Sequence, residues 1–359
     1  MSNSRAVTKV TALELSADTY SKHAAINPLQ LTAILGGAKM GNFVRTFQEI
    51  DRNMSQLVGG KGAHLGELTR FGVNVPGGYC VTSDSYYHHL QTNHLVEPIL
   101  EIEKQINYDD FQDLENKTAK IRALIDAAVM PPEIEEEIKE HYEKLAAGNP
   151  ECFVAVRSSV GVKDSNISSF PGMMDTYHYI NGSKDVVSKV KDCWASVWSA
   201  RGAFARHNKG IDHMMAIIAP VVQLMVNSEV AGVAFTVNPI NKKDEFVIEA
   251  NWGLGESVVS GKAMADMYII ERNYNIKERR VSRKEKAYVK ANGGGGQWIT
   301  LEPEKMNVPA LTDAQIIEIC KTAALIEQHY GYNQDTEWAF EKGRLYLLQA
   351  RRAKVGGGT

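Results

Sequence analysis

The sequence predicts an α+β fold in two lobes, and three observations support this prediction. The chain has 359 residues, which corresponds to two or three folding units at roughly 150 residues per domain. Residues 97–148 are strongly helical in pattern, whereas strand-like apolar runs predominate from residue 216 onwards. Strand-rich blocks with flanking helices are typical of α+β proteins.

Composition and charge exclude several classes of protein. Hydrophobic residues make up 44% of the chain and charged residues 23%, as in ordinary globular proteins. A net charge of −3 without a basic block argues against a nucleic-acid partner. No run of 18 apolar residues and no signal-peptide pattern is present, so we expect no membrane partner and a cytoplasmic location. The four widely separated cysteines predict reduced, mostly buried thiols.

Local patterns divide the chain into four segments. Residues 1–42 are predicted to be a polar N-terminal extension, and residues 354–359 a flexible tail. The first lobe is assigned to residues 43–215, and the second lobe to residues 216–353. Within these lobes we predict helices over 62–70, 184–208 and 313–330, strands over 152–157, 335–340 and 344–351, and a Ser/Gly-rich loop over 158–172.

Two segments of the first lobe carry candidate phosphate-binding cations. Lys61 lies in the Gly-rich segment 58–62, and a glycine turn into a helix exposes N–H groups to an anion. The segment is not a P-loop because Gly62 replaces the required Ser or Thr, so a simple turn remains an alternative. Arg157 ends a strand and precedes a loop that reaches Thr176; its fork suits phosphate, although a domain-edge salt bridge is equally possible.

The last two strands form a candidate metal site. Asp335 and Glu337 share one face of a strand, as Gln349 and Arg351 do on the next. A three-residue turn would put Glu337 and Gln349 on the same face, whereas a two-residue turn would put them on opposite faces. Carboxylate oxygens together with substrate phosphates suit Mg²⁺. A solvated edge hairpin is the alternative, but the large apolar residues of both strands favour a core hairpin.

Two weaker candidates concern a nucleoside. Gln223 and Met225 end an apolar strand that could present its backbone to an adenine ring, although a plain buried strand has the same composition. Glu256 follows a Gly-x-Gly turn that lacks the dinucleotide spacing, and its carboxylate could accept hydrogen bonds from ribose. The ten histidines are interpreted as structural or surface residues.

Seven segments in order resemble the N-terminal nucleotide-binding region of the phosphoenolpyruvate synthase and pyruvate phosphate dikinase family. They are VGGKGAHLGEL (58–68), VPGGYCVT (75–82), VAVRSS (154–159), SFPGMMDTY (169–177), VAGVAFTVNP (230–239), NWGLGESVVSG (251–261) and QDTEWAFEKGRLYLLQARR (334–352). The resemblance covers roughly residues 43–353. It implies a two-lobed ATP-grasp-like fold, with antiparallel sheets, flanking helices and ATP between the lobes.

The resemblance also implies a role for each candidate. Lys61 and Arg157 match the phosphate-binding cations, and Arg351 matches the arginine that contacts the phosphoryl groups in the transition state. Glu337 and Gln349 match Mg²⁺ ligands, with Asp335 in support. The remaining nucleotide contacts are Thr176, the adenine contacts Gln223 and Met225, and the ribose contact Glu256. These parts supply the positioning and charge neutralisation that phosphoryl transfer needs.

The chain departs from the family pattern in lacking a Gly-rich turn with a phosphorylatable His after the last hairpin. We therefore expect a separate partner subunit to carry that His and to bind the small-molecule acceptor. The chain resembles the ATP-binding subunit of one split member, phenylphosphate synthase, which suggests phenol as acceptor and AMP and phosphate as products. The alternatives are part of a pyruvate- or antibiotic-phosphorylating dikinase, and a non-catalytic nucleotide-sensing module.

Overall fold

The computed structural model describes residues 43–162 and 176–354. The predicted N-terminal extension (1–42), most of the Ser/Gly-rich loop (163–175) and the tail beyond residue 354 lie outside the described residues.

Strands and short helices alternate irregularly along the described residues. The strands are β1 (Val44–Thr46), β2 (Gly78–Val81), β3 (Phe153–Val162), β4 (Thr176–Asn181), β5 (Ala216–Leu224), β6 (Val230–Phe235), β7 (Phe246–Trp252), β8 (Asp266–Ile270), β9 (Ile276–Arg280), β10 (Lys286–Lys290), β11 (Gly296–Thr300), β12 (Gln334–Glu341) and β13 (Arg344–Arg352). The α-helices are α1 (Ser55–Phe71), α2 (Ser83–Thr92), α3 (Val96–Glu103), α4 (Phe111–Ala127), α5 (Pro132–Ala146), α6 (Ser183–Ser196), α7 (Ala200–Asn208), α8 (Glu256–Val259), α9 (Pro303–Met306) and α10 (Asp313–Tyr330).

These strands form two large antiparallel sheets and one small one. The first sheet has the order β1-β2-β5-β3-β4, and the second has the order β13-β12-β6-β7-β8-β9. Strands β10 and β11 pair with each other in a separate two-stranded sheet, and Tyr288 of β10 also forms an isolated bridge with Gly253. Helices flank both large sheets, so the predicted α+β fold class is confirmed.

The change from one sheet to the other occurs later in the chain than residue 216. Strand β5 pairs along its whole length with β3, from Val154 opposite Leu224 to Val162 opposite Ala216. Its apolar residues therefore complete the first sheet, and the chain crosses to the second sheet between Leu224 and Val230. The start of strand-rich sequence marks β5 itself and not the start of the second sheet.

Two local predictions were wrong in extent. Ser158–Val162 belong to strand β3 and not to a loop, because each of these residues pairs with β5. The predicted helix over 184–208 is two helices, since Ser199 accepts a hydrogen bond from the Gly202 N–H and caps the start of α7. The predicted helix over 313–330 and the last two strands are confirmed.

Helix α1 belongs to the first lobe in sequence but is tied to the second sheet. His64 Nδ1 lies 2.6 Å from the Ala350 carbonyl oxygen, and Leu68 is buried in the core of the second sheet. Just after α1, the Asn74 carbonyl accepts a hydrogen bond from the Leu347 N–H at 2.9 Å. We call this set of buried apolar and hydrogen-bonded contacts the α1 bridge.

No helix among residues 43–162 and 176–354 is long and apolar enough to cross a membrane.

Gly232 in the centre of β6 is a sensitive point of the second sheet. A Cβ atom there would lie 1.9 Å from the Glu249 carbonyl oxygen and 2.8 Å from the Trp338 ring. We expect Gly232→Ala to lower the free energy of unfolding by about 3 kcal/mol, because the backbone of β7 would have to move. Urea denaturation followed by circular dichroism measures this loss.

Gly255→Ala is the matched control, since Gly255 has φ −54° and no heavy atom within 4 Å of the added Cβ. Its stability should stay within about 0.5 kcal/mol of the native protein. Equal stability of the two variants would contradict the tight strand packing described here.

Candidate functional site

A cleft of about 1010 Å³ lies between the two large sheets. All ten residues that the sequence singled out contribute to its lining. They are Lys61, Arg157, Thr176, Gln223, Met225, Glu256, Asp335, Glu337, Gln349 and Arg351. Residues as far apart in sequence as Lys61 and Arg351 therefore face one volume, which we call the cleft.

The β12–β13 hairpin forms one wall of the cleft. Glu337 lies directly opposite Gln349, and Asp335 directly opposite Arg351, so both pairs share the cleft-facing side. The connecting turn has two residues, Lys342 and Gly343, both with positive φ. A two-residue turn alone would separate the pairs, but a β-bulge between Glu337 and Trp338 shifts the register by one residue. The two-residue turn and the β-bulge together thus place Glu337 and Gln349 on the same face.

Arg157 connects the two walls of the cleft. Its Nη2 donates to Glu337 Oε2 at 3.0 Å and to Gln349 Oε1 at 3.2 Å. Its Nη1 donates to the Leu348 carbonyl at 3.2 Å and to Gln223 Oε1 at 3.3 Å. The guanidinium therefore holds the two predicted metal ligands from the opposite sheet.

Lys61 lies beside Arg157 because of a close approach between α1 and β3. Gly59 interrupts α1 with φ 66°, and a Cβ at this position would lie 2.3 Å from Ser159 Oγ. That hydroxyl accepts hydrogen bonds from the Lys61 and Gly62 N–H groups at 3.1 and 3.2 Å. The glycine thus lets α1 approach β3 closely, which places Gly60 and Lys61 in the lining of the cleft.

The side-chain amine of Lys61 has an unusually low pKa. Its Nζ donates to the Ser158 carbonyl at 3.1 Å and has no carboxylate partner among the described residues. Burial and, to a smaller extent, the positive charge of Arg157 together lower the pKa of Lys61 to about 7, whereas Glu337 opposes the shift. An incoming polyanion would favour the protonated amine, so anion binding and protonation of Lys61 should be coupled.

Asp335 and Arg351 form an ion pair at one end of the hairpin. Arg351 Nε donates to Asp335 Oδ2 at 2.7 Å, with 47% of the arginine side chain exposed and 9% of the aspartate. Burial raises the pKa of Asp335, and the nearby Arg351 partly offsets that rise. The exposed side of the guanidinium remains accessible from the cleft.

The chain segment between the two sheets forms another wall. Gln223 is 2% exposed, and its Nε2 has no hydrogen-bond partner among the described residues. Met225 follows it, and its N–H donates to the Phe153 carbonyl at 2.9 Å. A buried amide without a partner is costly unless a ligand supplies an acceptor, so this wall suits a heterocycle with acceptor atoms.

Glu256 and Thr176 lie at the rim of the cleft. Glu256 begins helix α8, where burial raises its pKa and Lys262 opposes the rise. Thr176 begins β4, pairs with Arg157 in the first sheet and is exposed. Their positions agree with contacts at the edge of a ligand and not at its centre.

Sequence reasoning missed several residues that also line the cleft, among them His64, Ser159, His178 and Glu249. His178 was interpreted as structural, but burial and the nearby Arg157 lower its pKa to about 4 inside the cleft. Its position two residues after Thr176 on a strand could have indicated a shared face.

The side chains that line the cleft fit a Mg²⁺-bound nucleoside triphosphate. Lys61, Arg157 and Arg351 supply cations for phosphates, and the unpartnered Gln223 amide faces the same volume. No group of three or more His, Cys, Asp or Glu side chains in residues 43–162 and 176–354 is arranged to hold a metal. A cation here would use Glu337, the Gln349 amide oxygen and ligand phosphates, which is the mixed coordination that Mg²⁺ prefers.

Comparison with known proteins identifies relatives of the whole cleft-forming region. The family model for the pyruvate phosphate dikinase AMP/ATP-binding domain matches residues 55–358. The chain is 40% identical over 353 residues to a probable phosphoenolpyruvate synthase of Pyrococcus abyssi, covering 86% of this chain and 43% of the relative. Rifampicin phosphotransferase of Bacillus subtilis is 32% identical over 314 residues, covering 87% of this chain and 36% of the relative. The chain thus spans less than half the length of these relatives.

The acidity of Lys61 can be measured directly. In ¹³C-methylated protein we expect one dimethyl-lysine NMR signal to titrate near pH 7, far below the ordinary lysine range. In Arg157→Ala this midpoint should move upward, since the variant lacks the neighbouring positive charge and leaves Glu337 without its arginine.

Lys61→Arg serves as the assignment control, because the shifted signal should be absent there. If every lysine signal in the native protein titrated above pH 9, the proposed desolvation of Lys61 in the cleft would be wrong.

Proposed function

Because the chain belongs to the pyruvate phosphate dikinase AMP/ATP-binding domain family, we propose that its cleft binds Mg²⁺–ATP and activates it for phosphoryl transfer. The single observation that carries this proposal is the convergence of Lys61, Arg157 and Arg351 with Glu337 and Gln349 on one cleft. Phosphoryl transfer depends mainly on positioning and charge neutralisation, and these five side chains supply both.

Each side chain has a distinct task in this proposal. Lys61 binds phosphate oxygens through its side chain, and Arg157 exchanges its hydrogen bonds to Glu337 and Gln349 for bonds to phosphate. That exchange frees the two oxygen ligands for Mg²⁺, which neutralises phosphate charge when bound. Arg351, whose guanidinium is held on one side by Asp335, stabilises the charge that develops on the transferred group.

Residues of the cleft walls also provide contacts for the nucleoside part of ATP. Gln223 Nε2 donates to the adenine ring, and Met225 packs against the heterocycle. Glu256 accepts hydrogen bonds from the ribose hydroxyls, and Thr176 contacts the phosphates from the rim. This orientation directs the terminal phosphates towards Asp335 and Arg351.

We further propose that the phosphoryl group passes to a histidine on a partner subunit and from there to a small-molecule acceptor. ATP, water and the partner histidine are then converted to AMP, phosphate and a phosphohistidine: one phosphoryl group passes to the histidine and the other passes to water. The resemblance to the ATP-binding subunit of phenylphosphate synthase supports this relay and suggests phenol as the final acceptor.

A second candidate acceptor is supported by the names of the relatives. Two of them are a probable phosphoenolpyruvate synthase and a rifampicin phosphotransferase, so pyruvate or an antibiotic is an alternative to phenol. A nucleotide-sensing module without chemistry is the remaining alternative. Product analysis distinguishes all of these possibilities.

The decisive experiment follows the nucleotide products. The full chain is incubated with Mg²⁺, α-labelled ATP and candidate His-domain partners, with phenol, pyruvate, rifampicin or no acceptor added. We expect AMP and phosphate to form only with a partner present, and Arg351→Ala to reduce AMP formation by at least about 1000-fold. Formation of ADP without any partner would contradict the dikinase mechanism.

Arg344→Ala is the matched control for this experiment. Arg344 lies on the same strand as Arg351 but donates to Asn74 Oδ1 at 2.9 Å, outside the cleft lining. Its AMP formation should stay within about twofold of the native rate. ATP binding without AMP formation under every partner combination would favour the nucleotide-sensing module.

A further inference from the structure

Strand β13 is the edge strand of the second sheet, so its outer side has no neighbouring strand in that sheet. Backbone groups of β13 bond to the first lobe instead. The Asn74 side-chain amide donates to the Leu345 carbonyl, and the Leu347 N–H donates to the Asn74 carbonyl at 2.9 Å. Arg157 Nη1 donates to the Leu348 carbonyl at 3.2 Å. Because buried backbone polar groups need partners, this edge depends on groups from outside its sheet.

His64 bonds to the same strand at the position between two residues of the site. Its Nδ1 lies 2.6 Å from the Ala350 carbonyl oxygen. Ala350 is buried and stands between Gln349, the proposed metal ligand, and Arg351, the proposed phosphoryl contact. Together with the bond to the Leu348 carbonyl, the His64 bond fixes the backbone on both sides of Gln349.

The contact determines which ring nitrogen of His64 carries the proton. A carbonyl oxygen only accepts, so Nδ1 is the donor and Nε2 is the bare nitrogen of the neutral ring. Burial lowers the pKa of His64, although the Ala350 bond and Glu67 oppose the shift, so the ring is neutral at pH 7. A neutral ring whose one N–H is bonded to a carbonyl has no donor left for phosphate. The task of His64 therefore differs from that of Lys61.

The His64 ring is held in place by its helix and by a second ring. His64 lies three residues after Lys61, so both side chains leave α1 on the same face, and both line the cleft. The Tyr330 ring packs against the imidazole, with the ring centroids 5.4 Å apart. One turn further along α1, Leu68 is buried in the core of the second sheet. Rotation of the imidazole away from Ala350 would disrupt this packing.

We propose that His64 is a positioning residue: its bond to the Ala350 carbonyl holds Gln349 in place as a metal ligand. The same bond fixes the strand from which Arg351 extends. This inference rests on the proposed Mg²⁺–ATP function of the cleft. When Arg157 exchanges its bond to Gln349 for phosphate, the His64 bond remains, because phosphate offers no donor that could replace it at the carbonyl. The strand therefore keeps its position while Gln349 becomes available to the metal ion.

Metal-dependent nucleotide binding distinguishes this role from a purely structural one. A fluorescent ATP analogue is titrated into the full chain with and without Mg²⁺, and the ratio of the two dissociation constants gives the Mg²⁺ enhancement. We expect His64→Leu, which removes the donor at similar shape, to lower this enhancement at least about tenfold. His64→Asn should keep it within about twofold, because the amide N–H stands as many bonds from Cβ as the imidazole Nδ1.

Asn74→Ala is the matched control for the loss of a bond to β13. It removes a side-chain hydrogen bond to the same strand at Leu345, and both residues lie outside the cleft lining. Its Mg²⁺ enhancement should be native even where its urea midpoint falls as far as that of His64→Leu. The positioning role would be overturned by a native enhancement in His64→Leu, by an equal loss in Asn74→Ala, or by a value in His64→Asn as low as in His64→Leu.

The tautomer of His64 is tested on the native chain without nucleotide or metal. In ¹⁵N-histidine-labelled protein at neutral pH, one set of ring signals should be absent from the His64→Asn spectrum and is thereby assigned. We expect these signals to show the proton on Nδ1 and a bare Nε2. A proton on Nε2 alone would show that the bond to Ala350 does not form, and the proposal would fail.

A failure of the nucleotide function gives a different pattern of results. If the native chain bound no ATP analogue at all, the proposed function would be wrong, and hydrogen exchange of residues 349–352 would then decide the positioning role. Faster exchange of these amides in His64→Leu than in Asn74→Ala would support a strand end held by His64. Equal exchange in the two variants would refute it.

Discussion

The structure depends on one guanidinium. Arg157 stands on the first sheet and donates to Glu337, Gln349 and the Leu348 carbonyl of the second sheet, as well as to Gln223 of its own sheet. A planar fork with several donors is the side chain that can satisfy acceptors from two walls at once. Burial is the main cause of the lowered pKa of Lys61, and the charge of Arg157 adds to that shift, so the residue that joins the two walls also influences the acidity of the cleft.

Close packing around this arginine leaves little tolerance in the neighbouring backbone. Gly59 allows α1 to approach Ser159 closely. The Ser159 hydroxyl then accepts hydrogen bonds from two N–H groups of the helix. On the opposite wall, a β-bulge aligns Glu337 with Gln349. The kink at Gly59 and the β-bulge are both local departures from regular structure, and both place polar groups at the cleft. Sites for charged ligands commonly use such departures because regular helices and strands present few convergent polar groups.

The cleft must also admit and release its ligand. A site that activates phosphoanhydrides benefits from excluding water during transfer, yet its product has to leave afterwards. The hydrogen bonds of the α1 bridge join the two sheets on the side of the cleft that carries Lys61.

The sequence by itself determined the α+β class, the family and ten of the residues that line the cleft, because short motifs carry their chemistry in the local sequence. Tertiary structure decided how those motifs meet. The local pattern could not show that β5 completes the first sheet, since strand pairing depends on residues that are distant in sequence. It left open whether Glu337 and Gln349 share a face, since a turn with an unforeseen bulge fixed the register. For His178 the sequence offered only its spacing from Thr176, because a side chain gains its role from what packs against it in the folded chain.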